Sequence, residues 1–582
     1  MSGGRLYALA VPISGSPPQR SVSVPGLRLL HDDWVTVAFL KQCAATHRHY
    51  GSDMELTHLN ELEKATKKGR IQLFRLGMGL LFIIGVMLYA VVRVDVTHGG
   101  SLFIVIAAMI GGYMAMNIGA NDVANNVGPA VGSNALTLGG ALFIAAIFEV
   151  AGAIIAGGEV VGTIRSGIID PSLIGSADTF VWIMMAALLA AAFWLNIATV
   201  MGAPVSTTHS IVGAVLGAGI ASSGLEIANW DTVARIVASW VISPLMGGAI
   251  AAGFLYLIKR TITYRLDLVA SSRQAVPYLV AAMAFAFGTY LMLKGLNRIW
   301  NVTILQALSV GAVLAVLVFW AARPIIARQA RRIGNSKEGV NRLFTVPLIF
   351  AAALLSFAHG SNDVANAVGP LAAIVEVVGS GTGELTAAAP VPLWVMIVGA
   401  LGIAIGLGLF GPKVIRTVGS EITELDQMRA YCIAMAATVT VILASQLGLP
   451  VSTTHVAVGA VFGVGFLREY LKSQYARMLE TIKAHHPEGD QAAIDAFLAK
   501  FAKASVDEKG RMLRELKRKA KRSMDPAHFS KLERQSLRKV YRHELVKRSQ
   551  VLKIVAAWVI TVPASALMAA MLFFTIKGML TG

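Results

Sequence analysis

Two nearly identical polar stretches carry carboxylate and amide side chains of the kind that bind a cation. GANDVANNVGP runs from Gly119 to Pro129 and GSNDVANAVGP from Gly360 to Pro370, with nine of eleven positions identical. Each follows an apolar stretch, and neither contains Lys or Arg. A carboxylate at the centre of an apolar layer costs ~2.5–3.5 kcal/mol on insertion scales. Asp122 and Asp363 therefore need a counter-charge, and a bound cation would supply it.

Asparagines extend this oxygen-rich set around each Asp. Positions three residues apart share a helix face, so the Asn that follows each Asp by three positions stacks beside it. Flanking Gly and Pro loosen the helix and free backbone carbonyls, which is tolerated at membrane depth only around a cavity. The predicted cation-coupling residues in the two motifs are Asn121, Asp122, Asn362 and Asp363, with Asp122 and Asp363 as metal ligands if the cation is sodium.

A second duplicated motif has the chemistry of an anion site. PVSTTHS spans Pro204–Ser210 and PVSTTHV spans Pro450–Val456. Proline suits a first helical turn, and the Ser-Thr-Thr run places hydroxyls beside the unpaired N–H groups of a helix start, which attract oxyanions. Ordinary capping and interhelical hydrogen bonding is the alternative, and duplication weakens it. The predicted anion-binding residues are Ser206, Thr207, Thr208, Ser452, Thr453 and Thr454, joined by Asn125 and Asn366.

Three further polar residues lie in or beside apolar spans. Glu149, in IFEVAG, is a candidate for cation coupling, with a satisfied interhelical hydrogen bond as the alternative. His209 and His455 close the two PVSTTH motifs. A proton relay, an anion contact and a structural hydrogen bond are all open for them, and the structural interpretation is favoured.

The elements that must position these residues are membrane helices. The chain is 55% hydrophobic and 14% charged, with a mean hydropathy of +0.64. Apolar runs of roughly 20 residues recur, the length needed to cross a hydrocarbon layer. The sequence predicts an all-α polytopic membrane protein with about 12–13 transmembrane helices, broken or re-entrant at the duplicated motifs.

The distribution of Lys and Arg predicts the orientation of these helices. If the N-terminus is cytoplasmic, four basic clusters at 259–273, 323–342, 413–429 and 468–550 fall on the cytoplasmic side, as positive-inside topology requires. The two Asn-Asp motifs are then entered in opposite directions across the membrane. This pattern predicts two inverted repeats, an architecture typical of secondary transporters.

The predicted organisation has seven segments. The basic insert at 468–550 is assigned to the cytoplasm rather than to nucleic-acid binding. The net charge of +18 is explained by cytoplasmic loops beside a lipid bilayer. The segments are a polar cytoplasmic arm at 1–75, an extra N-terminal transmembrane helix at 76–100, a first repeat at 101–258, connecting helices and basic loops at 259–342, a second repeat at 343–467, a basic helical cytoplasmic insert at 468–550, and a final helix at 551–582.

Other functional classes fit the residues less well. Neither Gly-x-Ser-x-Gly nor His-Glu-x-x-His occurs, and catalysis gains nothing from inverted duplication, so the chain is not predicted to be an enzyme. A passive anion channel would line its pore with fixed basic rings, which the spans lack. Carboxylates in an anion pathway make sense with a co-transported cation, and we therefore expect a symporter.

The paired GANDVANN and GSNDVANA motifs, with the paired PVSTTH motifs, resemble the PiT family of inorganic phosphate transporters. The resemblance covers roughly 101–468 and the final span. It implies a symporter driven by Na⁺ or H⁺, with phosphate held between inverted repeats by Asp122, Asn125, Asp363, Asn366 and the Ser-Thr-Thr runs. It also implies a transport role for Glu149, within a block that continues through Thr163, Arg165 and Asp170.

One departure from the family keeps the coupling ion open. Some sodium-coupled relatives have a glutamate sixteen residues before the second PVSTTH, where this chain has Ala434. Proton coupling, with phosphate carried as a metal–phosphate complex, is therefore an equal alternative to sodium. Sulfate is the alternative anion. No cofactor beyond the co-transported H⁺ or Na⁺ is expected, a homodimer is one option for assembly, and the predicted location is the inner or plasma membrane of a cell.

Overall fold

The computed structural model describes residues 69–94, 101–203, 205–265, 267–295, 301–380, 390–420, 425–483 and 548–581. The chain divides into two units, Met1–Phe74 and Arg75–Gly582. In the first unit only the start of one helix is described. Most of the predicted arm at 1–75 and most of the basic insert at 468–550 thus lie outside the described residues.

The described residues form an all-helical bundle, as predicted, with an isolated bridge between Ile169 and Ala228. The α-helices are α1 Gly69–Arg93, α2 Ser101–Asn121, α3 Ala124–Gly132, α4 Leu138–Ala156, α5 Gly158–Gly162, α6 Ala177–Met201, α7 Thr207–Ser223, α8 Trp230–Ile258, α9 Leu268–Lys294, α10 Ile304–Ala330, α11 Lys337–Leu343, α12 Thr345–Asp363, α13 Ala365–Ser380, α14 Leu393–Ser420, α15 Gln427–Gln446, α16 Thr453–Lys483 and α17 Arg548–Thr581. Short π-helical turns follow α5 and α8.

Eleven described helical segments are long and apolar enough to cross a membrane, so the chain is a multi-pass membrane protein. Two of these segments, Ser101–Gly132 and Thr345–Ser380, each combine two helices interrupted at an Asn-Asp motif. The prediction of broken helices at the duplicated motifs is therefore confirmed. Helices α7 and α16, which begin at the PVSTTH motifs, add two more segments to the bundle.

Burial separates the inner helices from those that face lipid. We compare the buried share of an apolar 18-residue stretch in each span. This share is 72% in the spans at Ala177–Met201, Thr345–Ser380 and Gln427–Gln446, but only 11% in the span at Ile304–Ala330. Helix α10 accordingly exposes large apolar side chains such as Leu305 and Trp320. The motif-bearing helices thus occupy the interior, where a polar site can be shielded from hydrocarbon.

Glycines let several of these inner helices approach backbone to backbone. A Cβ on Gly463 of α16 would collide with the carbonyl of Gly248 in α8, and one on Gly459 would collide with that of Pro244. Without a hydrophobic effect between helices in lipid, such close packing is a main source of association. It fixes α16, and with it the second PVSTTH motif, against α8.

The first helix begins earlier than predicted, at Gly69 instead of 76. Its first turns include Arg70 and Arg75, which lie before the apolar stretch. A helix can continue past the end of its apolar segment because its hydrogen bonds are internal to the backbone. Hydropathy therefore misplaces this boundary.

Candidate cation and anion site

The two buried aspartates lie where their helices break. Helix α2 ends at Asn121 and α3 begins at Ala124, so Asp122 lies in the interruption. Helix α12 ends at Asp363, and α13 begins at Ala365. Both aspartates are 0% exposed. The first break thus covers Asp122 and Val123, and the second is Val364 alone, with Asp363 as the last residue before it.

The two PVSTTH motifs start helices whose first turn is capped by serine. Ser206 accepts from the backbone N–H of His209 at 3.1 Å, and Ser452 accepts from that of His455 at 3.2 Å. Helices α7 and α16 then begin at Thr207 and Thr453. The predicted anion-binding serines are thus placed as N-caps, beside the helix starts whose first N–H groups attract anions.

Both carboxylates meet at the threonine hydroxyls. The Thr207 hydroxyl lies 2.8 Å from Asp122 Oδ2 and 2.9 Å from Asp363 Oδ2. The Thr453 hydroxyl lies 3.4 Å and 3.5 Å from oxygens of the same two residues, and Thr454 donates to Asp122 Oδ1. Since a hydroxyl carries one proton, Thr207 can donate to only one carboxylate at a time.

The asparagines three residues after each Asp cross to the opposite half of the chain. Asn125 Nδ2 donates to the hydroxyl of Thr454 at 2.7 Å. Asn366 Nδ2 donates to the hydroxyls of Thr207 and Thr208 at 3.1 and 3.3 Å. Each Asn-Asp motif is therefore tied to the PVSTTH helix of the other copy.

Several oxygens in this cluster have no donor. The side-chain oxygens Asn125 Oδ1, Asn366 Oδ1 and Asp363 Oδ1 are buried and accept no hydrogen bond within the described part of the chain. Ligand atoms of Asp122, His359 and Asp363 also lie within 4.8 Å of one another. Buried oxygens without donors are costly unless a cation or proton is bound. The donor set therefore fits a small hard cation, which oxygen ligands prefer.

The asparagines that precede each Asp have different contacts from those predicted. Asn121 Nδ2 donates to Thr199 Oγ1 at 3.1 Å and to the Ala203 carbonyl at 3.0 Å. Asn362 Nδ2 donates to Ser445 Oγ at 3.0 Å and, at 3.3 Å, to the Leu449 carbonyl.

These paired contacts secure the connections that lead into α7 and α16. Each connection contains a glycine with positive φ, Gly202 at 75° and Gly448 at 64°. A left-handed backbone favours glycine. The structure thus places the amide nitrogens of Asn121 and Asn362 on these connections, whereas Asn362 Oδ1 accepts no hydrogen bond from the described residues.

Glu149 is buried in α4 and joined to the second motif by a residue that the sequence interpretation missed. Glu149 Oε1 accepts from Asn126 Nδ2 at 2.9 Å, and Oε2 lies 2.7 Å from His359 Nδ1. The other ring nitrogen, His359 Nε2, lies 3.5 Å from Asp363 Oδ2. A chain of three titratable groups therefore runs from Glu149 to the carboxylate pair.

A signal for His359 was present in the sequence. It precedes Asp363 by four positions, which places both on one helix face. The equivalent position in the first copy is Ile118. The histidine is therefore not duplicated, and a search for residues shared by the two copies does not find it.

Residues of the block after Glu149 connect distant parts of the bundle. The Thr163 hydroxyl donates to the Gly448 carbonyl at 2.8 Å. Arg165 Nη1 lies 3.2 Å from Glu376 Oε2, so the two residues form a largely buried ion pair. Asp170 caps a 3₁₀ turn outside the spans, and hydrogen bonds from Ser172 lower its pKa.

The two motif histidines pack against each other and against tryptophans. The rings of His209 and His455 lie 4.3 Å apart between centroids, with Trp240 3.8 Å from His209 and Trp558 3.6 Å from His455. These stacked rings join α7, α8, α16 and α17. The contacts shown are ring stacking and not the expected hydrogen bonds, because both ring nitrogens of His209 and Nε2 of His455 are buried without a hydrogen-bond partner among the described residues.

Comparisons with known proteins point to one family. The sequence model described as "Phosphate transporter family" matches residues 118–569. A Helicobacter pylori (strain J99) protein named "Putative phosphate permease" is 53% identical over 525 residues, which are 89% of this chain and 98% of that protein. A Haemophilus influenzae protein of the same name is 37% identical over 380 residues, 64% of this chain and 90% of that protein.

A solved structure, "The sodium-dependent phosphate transporter", is similar over most of its length. It superposes with a TM-score of 0.65 at 30% identity, and the match covers 82% of this chain and 99% of that one.

Proposed function

We propose that this chain, which belongs to the phosphate transporter family, imports inorganic phosphate together with a coupling cation by alternating access. The observation that carries the proposal is the buried cluster in which both copies of both duplicated motifs meet. It combines two carboxylates, four threonine hydroxyls and two amides. A transporter, not an enzyme, is what the family and its permease relatives indicate.

Charge balance makes a cation necessary for this cluster to bind an anion. Asp122 and Asp363 are both fully buried, and phosphate would bring further negative charge among them. A buried charge without a partner is strongly unfavourable. Cations bound at the two carboxylates therefore have to precede or accompany phosphate.

The anion would be held by the two helix starts. The hydroxyls of Thr207, Thr208, Thr453 and Thr454 lie where the first-turn N–H groups of α7 and α16 have no intrahelical acceptor. The amide of Asn366 lies beside Thr207, and the amide of Asn125 lies beside Thr454. Neutral donors and helix dipoles bind phosphate without a fixed Arg, so release follows once the cations leave.

Sodium is the coupling ion that we favour. The donor-free oxygens of Asn125, Asn366 and Asp363 are ligands for a hard cation. The similar solved structure is named as a sodium-dependent phosphate transporter. The alternative is H⁺, which the chain from Glu149 through His359 to Asp363 supports because each member can exchange a proton.

Alternating access would use the two copies as inverted repeats. The site carboxylates and the threonines are 0–1% exposed, so phosphate reaches them only after helices move. Equivalent contacts of Asn121 and Asn362, and of Asn125 and Asn366, support two halves of like structure. Halves of opposite orientation would open the same site first to one side and then to the other.

The proposed orientation places the N-terminus and the basic loops in the cytoplasm of a cell bounded by this membrane. Helix ends from three of the predicted basic clusters, at Lys259, Lys337 and Arg429, line one cavity at one end of the bundle. Residues that share an end of a bundle share a side of the membrane. This supports a single cytoplasmic surface.

The test is radiolabelled phosphate uptake into liposomes that contain the full-length protein. Three arms impose a sodium gradient, a proton gradient without sodium, and a sodium gradient with excess unlabelled sulfate. We expect uptake that depends on sodium and resists sulfate. Uptake that is driven by the proton gradient alone and abolished by a protonophore would show that H⁺ is the coupling ion. Competition by sulfate would overturn the phosphate assignment.

Variants connect the uptake to the site. Asp122→Asn should abolish coupled uptake, whereas Asp231→Asn, on an exposed first turn of α8, should leave it unchanged. Equal uptake by both variants would contradict the role of the carboxylates.

A further inference from the structure

A cavity separate from the carboxylate–threonine cluster lies at the helix ends, and most of its charged lining residues are basic. It has a volume of about 130 Å³ and is enclosed by the end of α8, the start of α9, α11, the start of α15 and α16. Its charged lining residues are Lys259, Lys337, Asp426, Arg429 and Arg468, which gives a formal charge of +3. Four separate elements therefore bring four cations to one small space.

The one carboxylate in this lining is committed to its own helix. Asp426 caps α15 by accepting from the Arg429 N–H at 2.9 Å, and its Oδ2 lies 2.8 Å from Arg429 Nη2. Lys259 is half-buried, is attracted by Asp426, and is repelled by Arg468, Arg429 and Lys337. The positive end of the α15 dipole adds to this field. An anion bound among them would relieve the repulsion.

The walls of the cavity are ordered by specific contacts. The Met428 N–H donates to Asn341 Oδ1 at 3.4 Å, which ties α15 to α11. The Thr263 hydroxyl lies 3.9 Å from Met428 Sδ, which ties α15 to the turn after α8. The cations thus converge on a preformed space rather than on a loose surface.

This cavity is distinct from the carboxylate–threonine cluster. None of its lining residues contacts Asp122 or Asp363 in the described structure. Arg468 lies fifteen residues beyond Thr453 on α16, about 22 Å at 1.5 Å per residue. A ligand here would be a separate ion, joined to the proposed transport site through helices such as α15 and α16.

We propose that this cavity binds a phosphate group, as the headgroup of an anionic phospholipid or as free inorganic phosphate. Two or more cations beside a small polar space suit a tetrahedral oxyanion, which Lys binds as a point charge and Arg through paired N–H groups. Basic pockets between transmembrane helices, at the level of the cytoplasmic surface, are where anionic lipid headgroups bind. Bound there, the phosphate group bridges α8, α11, α15 and α16.

Thermal unfolding of the full-length protein in detergent tests the proposal and separates the two sources. The protein is titrated with short-chain phosphatidylglycerol, with phosphatidylcholine of the same chain length, and with inorganic phosphate. We expect one of the two anions to raise Tm, and Lys259→Gln to need about ten-fold more of it, as loss of one charge-assisted contact implies. Arg260→Gln, the neighbouring exposed cation outside the cavity, should titrate like wild type.

The outcomes are distinct. A shift by phosphatidylglycerol, absent with phosphatidylcholine and weakened by Lys259→Gln, assigns the site to a lipid headgroup. A shift by inorganic phosphate that Lys259→Gln weakens and Arg260→Gln does not assigns it to free phosphate. Titrations with both anions that are the same in wild type and Lys259→Gln overturn the proposal.

A second variant keeps the test valid if Lys259→Gln does not fold. Lys337→Gln removes an exposed side chain from the same lining and should weaken binding in the same way. Because the readout is Tm rather than uptake, failure here would leave the proposed transport function untouched, and absence of uptake would leave this binding site untouched.

Discussion

Replacing Asp363 with Asn should raise the stability of the folded protein in the absence of sodium but abolish phosphate transport. Ligand atoms of Asp122 and Asp363 lie within 4.8 Å of each other, and both residues are fully buried. Two unit charges at 4.8 Å repel by about 3.5 kcal/mol at an effective dielectric constant of about 20. In the proposed mechanism a bound cation would offset this repulsion in the wild type, and the amide would remove it permanently.

The expected result has two parts, one for unfolding and one for uptake. In buffer without sodium, Asp363→Asn should unfold at a higher temperature than wild type, because the charge repulsion is gone. Added sodium should raise Tm in the wild type through binding to the folded state, and should raise it much less in the variant. Coupled phosphate uptake by the variant should fall to the level of empty liposomes.

The assay is thermal unfolding in detergent across a sodium series, with choline chloride holding the ionic strength constant. Asp178→Asn, on an exposed first turn of α6, is the matched control and should respond to sodium as the wild type does. The reasoning is refuted if Asp363→Asn shows the same sodium-dependent Tm as wild type and retains full uptake. That result would mean that cations bind elsewhere.

Three further perturbations test the packing and the hydroxyl network. Thr207→Val removes the donor that both carboxylates share, so uptake should fall by roughly ten- to a hundred-fold for ~1.5–3 kcal/mol of lost hydrogen bonding to a charged group; Thr440→Val, a buried hydroxyl bonded only within α15, should not lower it. Gly463→Ala forces α16 away from α8 and should destabilise the protein by ~1–3 kcal/mol in thermal unfolding, whereas Gly408→Ala, which meets no neighbour, should be neutral. Glu149→Gln keeps the bond to its asparagine but removes the charge beside the imidazole, and should abolish uptake while the protein still folds.

Each of these expectations can fail in a specific way. Thr207→Ser should restore uptake, so a serine variant as poor as the valine would indicate that shape, not the hydroxyl, matters. Equal melting of the two glycine variants would contradict the close α8–α16 packing. Glu226→Gln, on an exposed turn, is the control for Glu149→Gln, and unchanged uptake in both would remove Glu149 from the mechanism.

Local chemistry made much of this structure predictable. Gly, Pro and Asn beside an Asp in an apolar stretch predict a broken helix, because polar groups and unpaired carbonyls need a shared polar space. The interruptions at Asp122 and Val123 and at Val364 confirm it. The serine before Thr-Thr is predicted to bind an anion, with capping as the alternative, and Ser206 makes the capping contact.

Contacts between distant segments could not be predicted in the same way. The bond from Asn125 to Thr454 joins residues 329 positions apart, and it depends on how α3 packs against α16. The placement of Asn121 follows from helix geometry that the sequence interpretation did not apply: adjacent residues lie about 100° apart around a helix. A residue next to Asp122 therefore faces a different neighbour, here the connection at Ala203.

The hydroxyl network suggests why the two ions would have to move together. The hydroxyls of Thr207, Thr453 and Thr454 are directed at Asp122 and Asp363 in this structure. Each has one proton, so a hydroxyl that turns to donate to phosphate stops donating to a carboxylate. The carboxylate then loses its donor in a buried site, where an unpaired charge is most costly. A cation has to replace that donor before phosphate can bind, and phosphate without a cation would leave three negative groups with too few donors. Obligatory coupling would thus follow from the number of protons on three threonines, without any fixed positive charge beside the anion.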